Sequence, residues 1–466
     1  MNTVLLHPTD VLFFRDGRPM SGSLAGHGAA WPLPNVINSA FHAALHRAHL
    51  PGAHAHDHRD LAGNRAATDS RKYGSLVTAG PFPVHVPESG QSLATWYLPR
   101  PLDLVNASLT PALCPTAAFD SAFSSLPDPL EYAVANQQAP SKGSGTNSWI
   151  SRAAYERYLH AGDSGLKGDE AIDDGSFCDA EHSIGIGIDS ERHVQDGESF
   201  YSAHYLRLRD HWKMGVLAQT DDKINGSTTD RQDLIQKLLK EEGRILVGGQ
   251  QRICTASYRS TPHRLELPRG KQAGFAHVQR RAEKRFLVKW ILLSPAVWPR
   301  IEADPSREII AHPGGWLPNW IAAAACPFEG TEVGEGSVLL LDGPGREKAR
   351  RKRLTPGKRI VARLVAAIVS KPIPVTGWAL KDEAAGRAEA GAKSTLLAVP
   401  AGAVYYFEAD SEPAAIQLAT ALNWHGDQSE PTTLRNRRST LLGEKGFGLG
   451  VCGTWQFHDV PGHPAP

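Results

Sequence analysis

Short strand-forming runs outnumber helical stripes along this chain, and that ratio limits its fold more than any other feature. "TVLLH" (3–7) reads as an opening strand. "SIGIGIDSERHVQDGESFYSAHYLRL" (183–208) reads as strand, turn, strand, with Ile184, Ile186 and Ile188 alternating, a hairpin free to project from the body. "RILVGGQQRICTASY" (244–258) is a strand interrupted by a glycine pair. "RFLVKWILLSP" (285–295), "GSVLLLD" (336–342), "ARLVAAIVS" (362–370) and "AVYYFEA" (403–409) continue the pattern. Helical periodicity is rarer. "NVINSAFHAALHRAHL" (35–50) puts Val36, Ile37, Ala40, Phe41, Ala44 and Leu45 on one stripe, with Asn35 as cap. "DRQDLIQKLLKEEG" (230–243) is amphipathic and stops at Gly243. "EPAAIQLATALNWHG" (412–426) is the last helix.

So few crossover helices favour antiparallel α+β sandwiches over a doubly wound sheet. Each half begins with a strand and closes with helix, Gly-containing segment, strand. Two βαββαβ, ferredoxin-like units fit that order. A chain of 466 residues has room for two such domains and long insertions. The division falls between 260 and 284, giving 1–270 and 271–466. Residues 51–72 read as a flexible loop, and 110–182 as an insertion, partly disordered, rich in Pro, Gly, Ser and Asp.

The net charge of +1 hides an uneven layout. Residues 163–181 hold seven acids against one lysine, whereas "REKARRKRLTPGKR" (346–359) holds eight bases against one acid. The basic run is either a solvated loop or a grip on RNA phosphates. Five cysteines, far apart and without a CxxC, suit a reducing cytosol and argue against a disulfide frame or a cysteine zinc site. No apolar run approaches the roughly 18 residues of a membrane helix, so the reading is cytoplasmic, with no membrane partner.

Two stretches carry candidate binding chemistry. In "GEKGFGLG" (443–450) the glycines free the backbone, Lys445 offers a charge and Phe447 a stacking face, a set suited to a phosphate–sugar backbone with unstacked bases. The alternative is a tight connection whose Phe packs in the core. "FFRDGRPM" (13–20) places Phe13, Phe14, Arg15 and Arg18 beside the first strand. His42, His46 and His49 recur at helical spacing, and "HAHDH" (54–58) holds a His–Asp pair, but a solvated face is the simpler account than a metal site. No complete catalytic set appears, so neither catalysis, metal nor cofactor is expected.

Those opening residues, with the helix after "WPLPNVINSAFHAAL", resemble the start of subunit three of the Cmr complex, a RAMP-superfamily component of type III-B CRISPR RNA-guided effectors. The resemblance recurs at 182–208, "LVGGQQR" (246–252), "LLSPAVW…GGWLP" (292–318), "VSKPIPVTGWAL…AVPAGAVYYFE" (369–408) and "GFGLGVCGTW" (446–455). Departures are Met20, where the family has a larger apolar residue, and Gln250, where it has Glu. The resemblance implies two RAMP (RRM-like) domains and a thumb hairpin. It also implies binding of the CRISPR RNA 5′ handle, and docking onto the large cyclase-polymerase subunit and a backbone RAMP subunit. It implies no nuclease activity of its own. The residues it points to for RNA are Phe14, Arg15, Arg18, His182, Gly185, Ile186, Gly248, Gly249, Arg252, Lys445, Gly446, Phe447 and Gly448. A rival is a metal-independent RAMP ribonuclease that matures CRISPR RNA with His42 or His46 as general acid or base. A weaker one is an HD-type metal nuclease at His56–Asp57.

Overall fold

The computed structural model describes residues 1–15, 24–26, 31–50, 54–59, 65–88, 94–105, 108–116, 126–136, 148–160, 165–188, 195–223, 231–240, 243–260, 265–280, 283–307, 309–342, 357–379, 389 and 391–458. It is an α+β structure of mostly antiparallel sheets with few helices.

Eight strands make the first sheet, in the order Ala171–Ile172, Trp149–Ser151, Thr95–Pro99, Val77–His85, Trp212–Gln219, Asn2–Pro8, Ile253–Ser260 and Gly243–Leu246. Every neighbouring pair is antiparallel. Insertions aside, its central strands and the helices Pro34–Arg47 and Leu234–Leu238 follow the chain as strand, helix, strand, strand, helix, strand. Alternation sorts the side chains. Val4, Leu6, Met214, Val216, Cys254 and Ala256 lie on one face, under Ile37, Phe41, Ala44 and Leu45 of the first helix. Ala79, Phe82, Val84 and Leu217 belong to the other face.

The second sheet runs Ala276–Arg280, Glu283–Leu292, Val404–Ala409, Ala362–Ile368. Gly450–Thr454 pairs with Val288–Leu292 on the edge whose other half, Glu283–Leu287, pairs with Ala276–Arg280, so two short strands share one edge end to end. Helix Glu412–Leu422, capped by the Ser411 side chain, packs on the face bearing Trp290, Leu364, Tyr405 and Phe407. Among the described residues no α-helix joins Leu292 to Ala362. Trp298, Leu317, Trp320, Ile321 and Val338 fill that space instead.

The inner faces of the two sheets share one core. Leu287, Ile291, Val404, Tyr406 and Trp455 pack in a single cluster with Ala79, Phe82, Val84, Leu98 and Leu217. The layers are therefore helix, sheet, sheet, helix. Within that core the Lys289 ammonium is 2.6 Å from Asp103 Oδ2, with the side chains 2% and 0% exposed. The Tyr158 hydroxyl lies 2.8 Å from each oxygen of the same carboxylate.

Several expectations need correction. Residues 51–72 hold two paired strands, His54–Arg59 and Arg65–Lys72, and are not wholly loop. Much of 110–182 is built into the body: Trp149, Ile150, Tyr155, Tyr158 and Phe177 are buried. Its strands of two to four residues are too short for a period to show. The first helix starts at Pro34 after Leu33, and Asn35 donates to the Thr376 carbonyl instead of capping. The helix expected over 230–243 is only Leu234–Leu238, capped by Asp233, and Gly243 opens a strand.

Candidate nucleic-acid interface

The long hairpin, Cys178–Ile188 with Gln195–Leu208, is the element that organises the candidate site. Its root is anchored, since Leu206 is buried and Cys178 and Leu208 pack against the core. Further out, His182 and Ile184 are exposed, Ile184 at 63%. The residues after the first strand join this hairpin: Leu12–Phe13 pairs with Tyr205–Leu206, and Leu24–Gly26 runs parallel to Tyr201–Ala203. "FFRD" is therefore split by the pleat. Phe14 is 3% exposed and sits in the first helix's core. It anchors the segment and presents no face to RNA, which corrects its place among the binding residues. Phe13 is half-buried beside Tyr205, ring centroids 5.5 Å apart.

The glycine pair explains how Phe13 is held. The Gly249 N–H donates to the Phe13 carbonyl at 2.8 Å. A Cβ on Gly248, whose φ is +79°, would lie 2.5 Å from that oxygen. The close approach these glycines allow is thus to the chain itself. The turn continues through Gln250 and Gln251, both left-handed at φ 55° and 53°. Such backbone is uncommon for residues with a Cβ and persists only when neighbours enforce it. Here the Val247 N–H donates to the Arg252 carbonyl and closes the turn.

Arg252 and Gln250 meet the hairpin above this turn. The Arg252 guanidinium lies over the Tyr205 ring, 5.1 Å from its centroid. Gln250 Oε1 accepts from the Tyr205 hydroxyl at 3.0 Å and from Arg252 Nη2 at 3.2 Å. Carboxylates balance the arginines. Asp10 contacts Arg207 at 3.0 Å and Arg252 at 3.7 Å, Glu181 pairs with Arg207, and Asp179 pairs with Arg209 at 2.7 Å. The Arg207 and Arg209 pairs are exposed and Arg252 is half-buried, and the charges of these three arginines are matched by Asp10, Asp179 and Glu181. Beside these matched charges the root offers the Phe13 and Tyr205 rings and the Gln250 amide. His182, exposed, faces His204 across the strands with ring centroids 4.3 Å apart.

Of the residues singled out from the sequence, Arg15, His182, Gly248, Gly249 and Arg252 belong to this region. Gly185 and Ile186 pair with Tyr201 and Phe200 further along the hairpin. Arg18 and residues 346–356 of the basic run lie outside the described residues. Tyr205, Arg207, Asp10 and the function of Gln250 were not singled out. Tyr205 stands inside the quoted hairpin, and only the register tells which side chain meets Phe13.

The second glycine segment is elsewhere. A Cβ on Gly446 would sit 2.6 Å from the Thr78 carbonyl, and Thr78 pairs with Ala218, opposite Asn2. Gly248 and Gly249 lie beyond Pro8 at the other end of the first sheet. The two segments are thus separated by about 20 Å along the strands at roughly 3.3 Å per residue. Phe447 is fully buried with Val297, Val375 and Ala398, so the expected stacking face is a core side chain. A Cβ on Gly448 would collide with the Ser439 backbone. Lys445 is half-buried, and its neighbour Glu444 is exposed. Nearby, Arg437 Nη1 is buried with no hydrogen-bond partner among the described residues.

His42 and His46 pack against the Tyr73 ring, and the side chains of His54, His56 and His58 lie outside the described residues. Among the described residues no three His, Cys, Asp or Glu side chains gather as metal ligands, and no helix is long and apolar enough to cross a membrane. A cavity of about 220 Å³ lies between the halves, its wall including Trp31, Leu33, Phe82, Trp149 and Pro295.

One similar solved structure is a type III-B Cmr-beta complex bound to cognate target RNA, determined by cryo-EM: 12% identity, 87% of this chain and 86% of that one covered, TM-score 0.37. A second is a crystal structure of the Csm3-Csm4 subcomplex of the type III-A CRISPR-Cas interference complex: 10% identity, 88% and 94% covered, TM-score 0.33. No curated protein matches. The family model of the CRISPR-associated protein (Cas_Cmr3) matches residues 4–455, nearly the whole length, and the chain belongs to that family.

Proposed function

We propose that the chain is a non-catalytic RNA-binding subunit of a type III-B CRISPR effector. In this reading it holds the 5′ handle of the CRISPR RNA, and contacts the large cyclase-polymerase subunit and a backbone RAMP subunit. The observation that carries the RNA assignment is the convergence of Phe13, Tyr205, Gln250 and Arg252 at the root of the hairpin. Single-stranded RNA is held by stacking platforms and by arginine planes, and an aromatic surface whose hairpin arginines are paired with carboxylates suits bases better than it suits phosphates alone. Family membership points the same way.

The test is the affinity of the full chain for a labelled CRISPR RNA bearing the handle. Tyr205→Ala with Arg252→Ala removes one platform and should weaken binding by roughly 1 to 3 kcal/mol, the scale of one stacked base. Circular dichroism must show a folded variant. Unchanged affinity in that variant refutes the assignment.

A further inference from the structure

We infer that Gln250, with the Arg252 guanidinium beside it, selects a keto base, guanine or uracil, over an amino base, adenine or cytosine, in the strand held at Tyr205; this rests on the RNA-binding reading above. Arginine has no acceptor, so the Gln250 atom facing Arg252 Nη2 must be the oxygen, which fixes the amide orientation. That oxygen also accepts from the Tyr205 hydroxyl, so both of its lone pairs are taken. The outward part of the amide is then Nε2, a donor with two protons, on an exposed side chain. The Arg252 Nη groups add further donors, while its Nε is buried, with no hydrogen-bond partner among the described residues, and is not part of that edge. Among the described residues the carboxylate in reach of Arg252 is Asp10, at 3.7 Å, itself held by Arg207. Beside the Tyr205 ring, the Gln250–Arg252 edge therefore offers donors. Guanine O6 and uracil O4 accept there, whereas the amino groups that adenine and cytosine carry at the same ring positions are donors and would face donors; N7 is common to both purines and does not discriminate.

The turn keeps the amide in this place. Gln250 is one of two consecutive left-handed residues following a glycine pair fastened to Phe13. A side chain on such a constrained turn loses little freedom on binding, which is what a base-reading contact needs.

The test compares fluorescently labelled U10 and C10, both pyrimidines of similar stacking, on the full chain. The wild type should favour U10 roughly tenfold, within the range of one well-placed base contact. Gln250→Glu keeps the shape but presents an acceptor, and should shift the preference towards C10, whose N4 amino group a carboxylate can accept from. Tyr205→Phe frees one lone pair of Oε1 and should narrow the wild-type preference. Melting temperature controls for folding. Equal binding of U10 and C10 by the wild type overturns the inference while leaving the RNA-binding reading intact. So does an unmoved ratio in Gln250→Glu. Failure to bind either oligomer overturns both.

Discussion

Replacing Asp103 by Asn would leave the Lys289 ammonium, 2% exposed, without its counter-charge in the core shared by the two sheets. Breaking a buried pair from one side costs about 3–5 kcal/mol, because the remaining charge keeps its desolvation penalty. The Tyr158 hydroxyl, 2.8 Å from both Asp103 oxygens, loses its charged acceptor as well. Removing both charges, as in Asp103→Leu with Lys289→Met, should recover part of that loss, since an apolar replacement of a buried pair is often neutral, while the Tyr158 hydroxyl stays without its acceptor. Urea unfolding, followed by tryptophan fluorescence and far-UV circular dichroism, measures each variant and completes a double-mutant cycle. Asp103 belongs to the first half of the chain and Lys289 to the second, so both probes should shift together. A Asp103→Asn variant within about 1 kcal/mol of wild type would refute the reasoning. So would separate transitions of which only one moves.

The C-terminal glycine segment should behave as a structural joint. Phe447→Ala should lower stability by about 3–5 kcal/mol, as for a fully buried aromatic ring, and a melting temperature near wild type would return Phe447 to the surface. Burial holds the His425 imidazole down to about 4, neutral and accepting from the Gly270 N–H. Because the unfolded chain takes up this proton near 6.5, its contribution is complete above that pH and is lost as pH falls towards 4, to an extent of up to about 3 kcal/mol. His425→Gln, which can still accept from Gly270, should flatten the acid limb of the stability profile between those values, and an unchanged limb would contradict this. Asp10→Asn releases Arg252 and Arg207 from a shared carboxylate, so single-stranded RNA affinity should rise and its salt dependence steepen; a fall in affinity would contradict that.

The strands, the long hairpin and the first and last helices were legible because their apolar period is intact. The helix-sheet core over Ile37, Phe41 and Leu45 follows from one stripe. The shared core did not, because a sheet buried on both faces loses its alternation. In "RFLVKWILL" the polar Lys289 sits at an inward position that only its pairing with Asp103 explains. Register hid the site in the same way. Phe13 and Phe14 are neighbours in sequence, yet the pleat sends one to Tyr205 and the other into the core. Gly446 and Gly248 look alike in sequence, but each meets a different backbone, Thr78 in one case and Phe13 in the other. A glycine records that something approaches closely and does not say what.

The most direct test of the central claim is to find where the RNA touches the protein. A CRISPR RNA with 4-thiouridine in the handle, assembled into the complete effector, can be crosslinked by ultraviolet light and the attached peptides sequenced. The hairpin-root account expects crosslinks to Tyr205 or Phe13, and to the segment containing Gln250 and Arg252, which Tyr205→Ala would reduce. Crosslinks confined to the Lys445 segment, at the far end of the first sheet, would contradict it.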